Sequence, residues 1–214
     1  TKVLLTTNTE SIYRHSYKAD YFVYDFKTKK LQPLSLNGKQ QLASFSPDGK
    51  YVAFVRNNDL FVVEIENTSQ EQQITFDGEI NKIINGAPDW VYEEEFSFSK
   101  GFFWSKDSKK IAYYKFDESN VNEYTIPLYN KNNYPESFTY KYPKAGEDNS
   151  IVEIYVYHFD NNANIKIDIG EETNQYIPRI KWTENPNILS VQRLNRLQND
   201  LEILKKSHKL EQVL

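Results

Sequence analysis

Hydrophobic and polar positions alternate along most of this chain, in short stretches broken by turn residues. Residues 45–54 read Phe-Ser-Pro-Asp-Gly-Lys-Tyr-Val-Ala-Phe, and residues 104–113 read Trp-Ser-Lys-Asp-Ser-Lys-Lys-Ile-Ala-Tyr. The shared skeleton is aromatic-Ser-x-Asp-small-Lys-x-aliphatic-Ala-aromatic. A weaker third copy starts at Trp182-Thr183-Glu184-Asn185 and continues into Ile188-Leu189-Ser190-Val191. Each copy predicts the same local structure. The aromatic ends one strand. Pro47-Asp48-Gly49 makes a tight turn, Pro presetting φ and Gly relieving strain. The next strand alternates, with Val52 and Phe54 on one face and Ala53 and Val55 on the other. Asn57-Asn58 then turns the chain into a further strand from Leu60 to Ile65.

Strand, turn, strand, turn, strand is an antiparallel meander. Its repetition every roughly 40–60 residues marks the blades of a β-propeller. The strand Tyr21–Phe26 with the polar turn Lys27–Lys30 fits the same unit, as does Ile151–Tyr157 with the turn Asn161–Asn164. Leu194, Leu197, Leu201 and Leu204 recur at helical spacing, so 192–206 reads either as an amphipathic helix or as a hairpin turning at Asn199-Asp200. The repeat context favours the hairpin, with strands Ile188–Arg196 and Leu201–Lys205. The segment 127–150, rich in Pro, Asn and Tyr, reads as an irregular excursion between blades. Propellers close with about 4–8 blades, and 214 residues supply about three and a half. The expected fold is therefore all-β: a partial β-propeller of about three to four antiparallel blades, a fragment of a larger ring.

Composition narrows the function classes. Lys and Arg number 26 against 30 Asp and Glu, a formal net charge of -4. That balance gives no electrostatic case for nucleic acid or an anionic membrane. Aromatic residues make up 15% of the chain, which argues for a packed core rather than disorder. No apolar run approaches the ~18 residues of a membrane-spanning helix. Cysteine is absent, which removes disulfides, thiolate nucleophiles and Cys-ligated metal. Methionine is absent too, and the chain opens at Thr1-Lys2-Val3; a processed or excised piece is expected, with any secretion signal upstream.

Catalytic motifs are missing. The seven glycines form no Gly-x-Ser-x-Gly and no phosphate loop. His15, His158 and His208 match no metal-ligand spacing. No metal or cofactor is expected, and the chain alone is expected to cleave nothing. The strongest candidate site is Asp89-Trp90-Val91-Tyr92-Glu93-Glu94-Glu95. Three consecutive carboxylates repel one another, so they form either a solvated acidic turn or an anchor for a cation such as a peptide α-ammonium. For Glu94 and Glu95 to converge they must sit on a helical turn or a bulge, because strand neighbours point to opposite faces. The second candidate is Tyr13-Arg14-His15-Ser16-Tyr17, in which Arg14 either lies on a neighbouring ring at the surface or braces the acidic pair.

Trp90-Val91-Tyr92-Glu93-Glu94-Glu95 resembles the double-glutamate motif of the dipeptidyl-peptidase IV family, serine exopeptidases related to prolyl oligopeptidase. Arg14-His15-Ser16-Tyr17 resembles that family's upstream arginine segment. Tyr142-Pro143-Lys144-Ala145-Gly146 and Arg193-Leu194-Asn195-Arg196-Leu197-Gln198-Asn199 resemble its downstream text, the latter in a hairpin. The resemblance spans nearly the whole chain. It implies that 1–214 is part of an N-terminal eight-bladed propeller. The C-terminal α/β-hydrolase domain, with the catalytic Ser, Asp and His, would lie outside this chain. It implies removal of X-Pro and X-Ala dipeptides from peptides with a free N-terminus. Glu94 and Glu95 would bind the substrate α-ammonium; Arg14 would contact the first carbonyl or brace the glutamates; Glu93 would be structural. A homodimeric parent is compatible with it. Lys, Asn and Ile enrichment without Cys points to a bacterial source, and hence to the periplasm or cell surface. Two other readings stay open: a non-catalytic propeller that binds peptide or protein, and a scaffold propeller without a peptide site. The scaffold reading predicts that Glu94 and Glu95 diverge with no Arg nearby.

Overall fold

The computed structural model describes residues 1–129 and 133–207. The chain starts with a sheet of β1 (Lys2–Ser11), β2 (Tyr17–Asp25) and β3 (Lys30–Pro33), paired in that order. A four-stranded meander follows, made of β4 (Gln41–Phe45), β5 (Tyr51–Arg56), β6 (Asp59–Glu64) and β7 (Asn67–Gln73). The third sheet begins with β8 (Ile83–Asn85). The helix α1 (Trp90–Glu94) then interrupts it before β9 (Phe102–Trp104) and β10 (Lys110–Asp117). A separate hairpin, β11 (Glu123–Leu128) with β12 (Glu136–Lys141), leaves the third sheet and returns to it at β13 (Ile151–His158) and β14 (Ala163–Lys166). The last sheet is β15 (Gln175–Trp182), β16 (Ile188–Asn195) and β17 (Leu201–Ser207). Every named pairing is antiparallel.

These are the expected antiparallel blades of a partial propeller. The helix alternative over 192–206 is replaced by the hairpin of β16 and β17, turning through Asn195–Asp200. One expectation changes: much of 127–150 belongs to the ordered hairpin β11–β12 rather than to an irregular excursion. Residues 130–132 of that segment lie outside the described residues, as does His208.

The repeated skeleton owes its spacing to hydrogen bonds. Ser46 Oγ donates to Asp48 Oδ1 at 2.6 Å and accepts from Tyr51 N at 3.0 Å. Ser105 Oγ donates to Asp107 Oδ1 at 2.5 Å and accepts from Lys110 N at 3.0 Å. The small position after the Asp carries a positive φ, 70° at Gly49 and 60° at Ser108. The aromatic position joins successive sheets. Trp104 Nε1 donates to Ser44 O at 3.2 Å, and Trp182 Nε1 donates to Phe103 O at 2.9 Å. Each acceptor is the residue just before the equivalent aromatic of the preceding copy. The turns touch as well, Asp48 N donating to Ser108 Oγ at 3.0 Å.

Because the sheets stack face to face, the second sheet is buried on both sides. Val52, Phe54, Phe61 and Val63 pack with Ala19, Tyr21 and Val23 of the first sheet. Ala53, Val55, Leu60 and Val62 face the larger core shared with the third and fourth sheets. The period-2 split of Val52/Phe54 from Ala53/Val55 is thus the split between two cores.

Candidate functional site

Pro88-Asp89 stops the extended chain and starts α1. Asp89 is the N-cap, its Oδ1 accepting from Tyr92 N at 2.9 Å. Its Oδ2 accepts from Ser150 Oγ at 2.6 Å. Burial pushes the Asp89 carboxyl up to about 6, against both of those hydrogen bonds. Glu93 N and Glu95 N donate to Asp89 O and Val91 O, so the three glutamates occupy a helical turn rather than a strand. Successive residues on a helix rotate by about 100°, which separates their environments. Glu93 is 1% exposed, the Glu94 side chain is 14% exposed, and Glu95, the C-cap, is exposed.

Arg14 comes from the tip of the first hairpin, between β1 and β2. Ile12 N donates to Ser16 O at 2.9 Å and Tyr13 N to Ser16 Oγ at 3.2 Å, closing a tight loop with Arg14 in its middle. The loop reaches α1 at two places. Arg14 Nε lies 3.3 Å from Glu94 Oε2. His15 N and Ser16 N both donate to Glu93 Oε1, at 2.7 and 2.9 Å. The structure therefore brings Arg14 and Glu94 together and puts Glu95 next to Glu94 on the same helical turn. Glu93 is turned away from solvent, its carboxylate against the main chain of the hairpin tip.

Aromatic packing fixes α1 from its other sides. Tyr92 is 1% exposed, and its ring meets those of Phe96, Phe98, Phe116 and Tyr176 with centroids 4.9–6.4 Å apart. Its hydroxyl accepts from Ile177 N at 2.9 Å. Trp90 packs on Tyr142 at 4.3 Å, and Tyr13 on Tyr140 at 6.1 Å, so the second strand of the β11–β12 hairpin and the residue after it brace both halves of the site. Next to Glu93 lies a cavity of about 350 Å³ whose walls include Tyr13, Ser16, Glu93, Glu118 and Tyr140. Glu118 is buried, and burial, with Asp89 nearby and Lys141 opposing, pushes its carboxyl up to about 7. Arg14, Glu94 and Glu95 do not line this cavity. Among the described residues no group of three or more His, Asp or Glu is arranged to hold a metal ion.

Ser150 and Glu118 are supporting residues outside the candidate motifs, and Asp89 and Tyr92 were named in the acidic motif without a role of their own. Pro88-Asp89 ahead of the acidic run was the available signal for Asp89, being a helix-start pattern. Ser150, Ile177 and Glu118 are distant in sequence, and nothing local marks them.

The family described as dipeptidyl peptidase IV (DPP IV) N-terminal region matches residues 1–211. The chain is 36% identical over 213 residues to the "probable dipeptidyl peptidase 4" of Neosartorya fischeri, covering 94% of this chain and 27% of that protein. It is 33% identical over 219 residues to the "probable dipeptidyl-aminopeptidase B" of Coccidioides posadasii, covering 94% of this chain and 24% of that protein. Among solved structures, Porphyromonas gingivalis dipeptidyl peptidase 4 superposes with a TM-score of 0.90 at 45% identity, over 96% of this chain and 29% of that one. The chain thus spans about a quarter of the length of the curated relatives it matches.

Proposed function

Because the chain belongs to the dipeptidyl peptidase IV family, as part of its N-terminal region, we propose that Glu94, Glu95 and Arg14 form the anchor for a peptide's free N-terminus. The parent protein would then be a serine exopeptidase removing X-Pro or X-Ala dipeptides, with its nucleophile on a hydrolase domain beyond this chain. The observation that carries this reading is the helical turn that sets Glu94 beside Glu95 with Arg14 3.3 Å from Glu94. Side chains one residue apart on a helix point about 100° apart, so Glu94 and Glu95 would take a single ammonium from two sides, each through one charge-assisted hydrogen bond. Arg14 keeps donors to spare for the carbonyl of the first substrate residue. An anchor a fixed distance from the nucleophile measures length: only a terminal dipeptide puts its amine here and its scissile bond at the serine. The scaffold alternative required the glutamates to diverge with no Arg nearby, and the Arg14–Glu94 pair counts against it.

The test is Glu94→Gln with Glu95→Gln in the full-length protein, assayed on an X-Pro p-nitroanilide. Each charge-assisted bond contributes on the order of 2 kcal/mol, so kcat/KM should fall about 1,000-fold with the thermal midpoint unchanged. Retained activity in a folded double variant refutes the anchor.

A further inference from the structure

We propose that Glu93, which in itself touches no substrate, is the positioning residue of this anchor: a buried latch that holds the Arg14 loop in register with Glu94. The proposal rests on the anchor reading above and adds how Arg14 is kept in place. Arg14 sits in the middle of a hairpin tip, 80 residues away in sequence from the Glu94 it pairs with. Its own ion pair with Glu94 cannot fix it. The Arg14 side chain is 72% exposed, and an ion pair that open to solvent is screened and contributes little. The Glu93 contacts are of another kind. One oxygen of a 1%-exposed carboxylate takes the main-chain N–H groups of the two residues that directly follow Arg14, at 2.7 and 2.9 Å. Charge-assisted bonds away from water are the stronger class. They act on backbone, so they fix the path of the loop whatever its side chains do. The loop is also closed on itself through Ile12 and Ser16, so holding two of its amides holds the whole tip.

A second observation separates this latch from ordinary packing. The other oxygen of Glu93, Oε2, is buried and takes no hydrogen bond from the described residues. The hydrogen bonds of the Glu93 side chain to the described residues thus both run through Oε1, and both go to the Arg14 loop. What Glu93 supplies is reach: three side-chain bonds from α1 to the loop amides. An Asp would keep the charge and fall short. A Gln would keep an acceptor at the same reach and lose the charge.

The test uses the full-length protein and kcat/KM on an X-Pro p-nitroanilide. Arg14→Ala should lower kcat/KM, and Glu93→Ala should lower it by a comparable factor, up to about 100-fold for a misplaced positioning group, with the same split between KM and kcat. In the Arg14→Ala background, Glu93→Ala should cost nothing further, because residues acting as one unit are not additive. Glu93→Gln, which keeps the acceptor and its reach but weakens both bonds, should recover part of the activity, whereas Glu93→Asp should behave like Glu93→Ala; these two variants carry the test if the alanine variant does not fold. Losses at Arg14 and Glu93 that multiply overturn the latch, as does an active Glu93→Asp beside an inactive Glu93→Gln. A loss at Arg14 with none at Glu93 refutes the latch and leaves the anchor standing. No loss at Arg14 refutes Arg14's part in the anchor, and the latch with it.

Discussion

Replacing Tyr92 with Phe removes one oxygen atom and tests what holds α1 against the neighbouring blade. The ladder between β15 and β16 shifts register between Tyr176 and Arg179: Ile177 and Pro178 together oppose Arg193. This is a β-bulge, and Pro178 fits there because it has no N–H to lose. Ile177 does have one, and it is fully buried. Its N–H donates to the Tyr92 hydroxyl at 2.9 Å, and its carbonyl accepts from the Tyr114 hydroxyl at 3.0 Å. Two tyrosines thus replace the ladder bonds that the bulge gives up. Tyr92→Phe keeps the ring and its aromatic contacts and strands one buried donor, at a cost of about 1–3 kcal/mol. Local opening at Ile177 becomes easier by the same free energy, about 5- to 150-fold. Hydrogen exchange of the peptide spanning 175–180 in the full-length protein reads this directly, beside the thermal midpoint. Tyr114→Phe should cost less, since a carbonyl oxygen left without a partner is tolerated better than a stranded N–H. Unchanged exchange in Tyr92→Phe, or a larger effect in Tyr114→Phe, refutes the reasoning.

Two further outcomes concern stability. Burial raises Asp89 to about 6 and Glu118 to about 7, so between about pH 4 and 7 the folded state binds more protons than the unfolded one. Their contribution is therefore fully present below the unfolded carboxylate range and is lost as pH rises through 6 to 7, on the order of 3 kcal/mol apiece. Glu71, which Arg56 and Ser35 hold below its ordinary value against burial, acts at lower pH and does not offset this window. Urea midpoints across the range should fall with pH, and Glu118→Gln should flatten the fall; a rise sinks the assignment. Gly78→Ala should lower the thermal midpoint by the equivalent of about 1–3 kcal/mol, because its Cβ would stand 2.6 Å from the Asn58 backbone carbonyl, and wild-type stability in that variant would show that the two segments can separate freely.

The fold was legible because each repeat satisfies itself locally. Ser46 and Asp48, or Ser105 and Asp107, lie within one turn, so the hydrogen bonds that shape the turn are written in neighbouring letters. The split of Val52 and Phe54 from Ala53 and Val55 follows from strand period alone. The β11–β12 hairpin was not legible: Tyr124, Phe138, Tyr140 and Tyr142 form a surface aromatic set whose pairing depends on register across a long connection. The site divides the same way. Glu94 and Glu95 are visible as an acidic run, and the need for a helical turn follows from strand geometry. What makes the run a site is non-local. Glu93 takes amides from the Arg14 loop of another blade, and Tyr92 completes a bulge 85 residues further along. Neither partner carries a side-chain signal, since both are main-chain N–H groups. A sequence names the residues that meet a ligand through their chemistry. It stays silent about those that hold them still through the backbone. Glu93 looks like one more charge in the run, yet it is 1% exposed and takes two main-chain amides, whereas Glu94 is partly open and Glu95 exposed, and only the fold distinguishes the three.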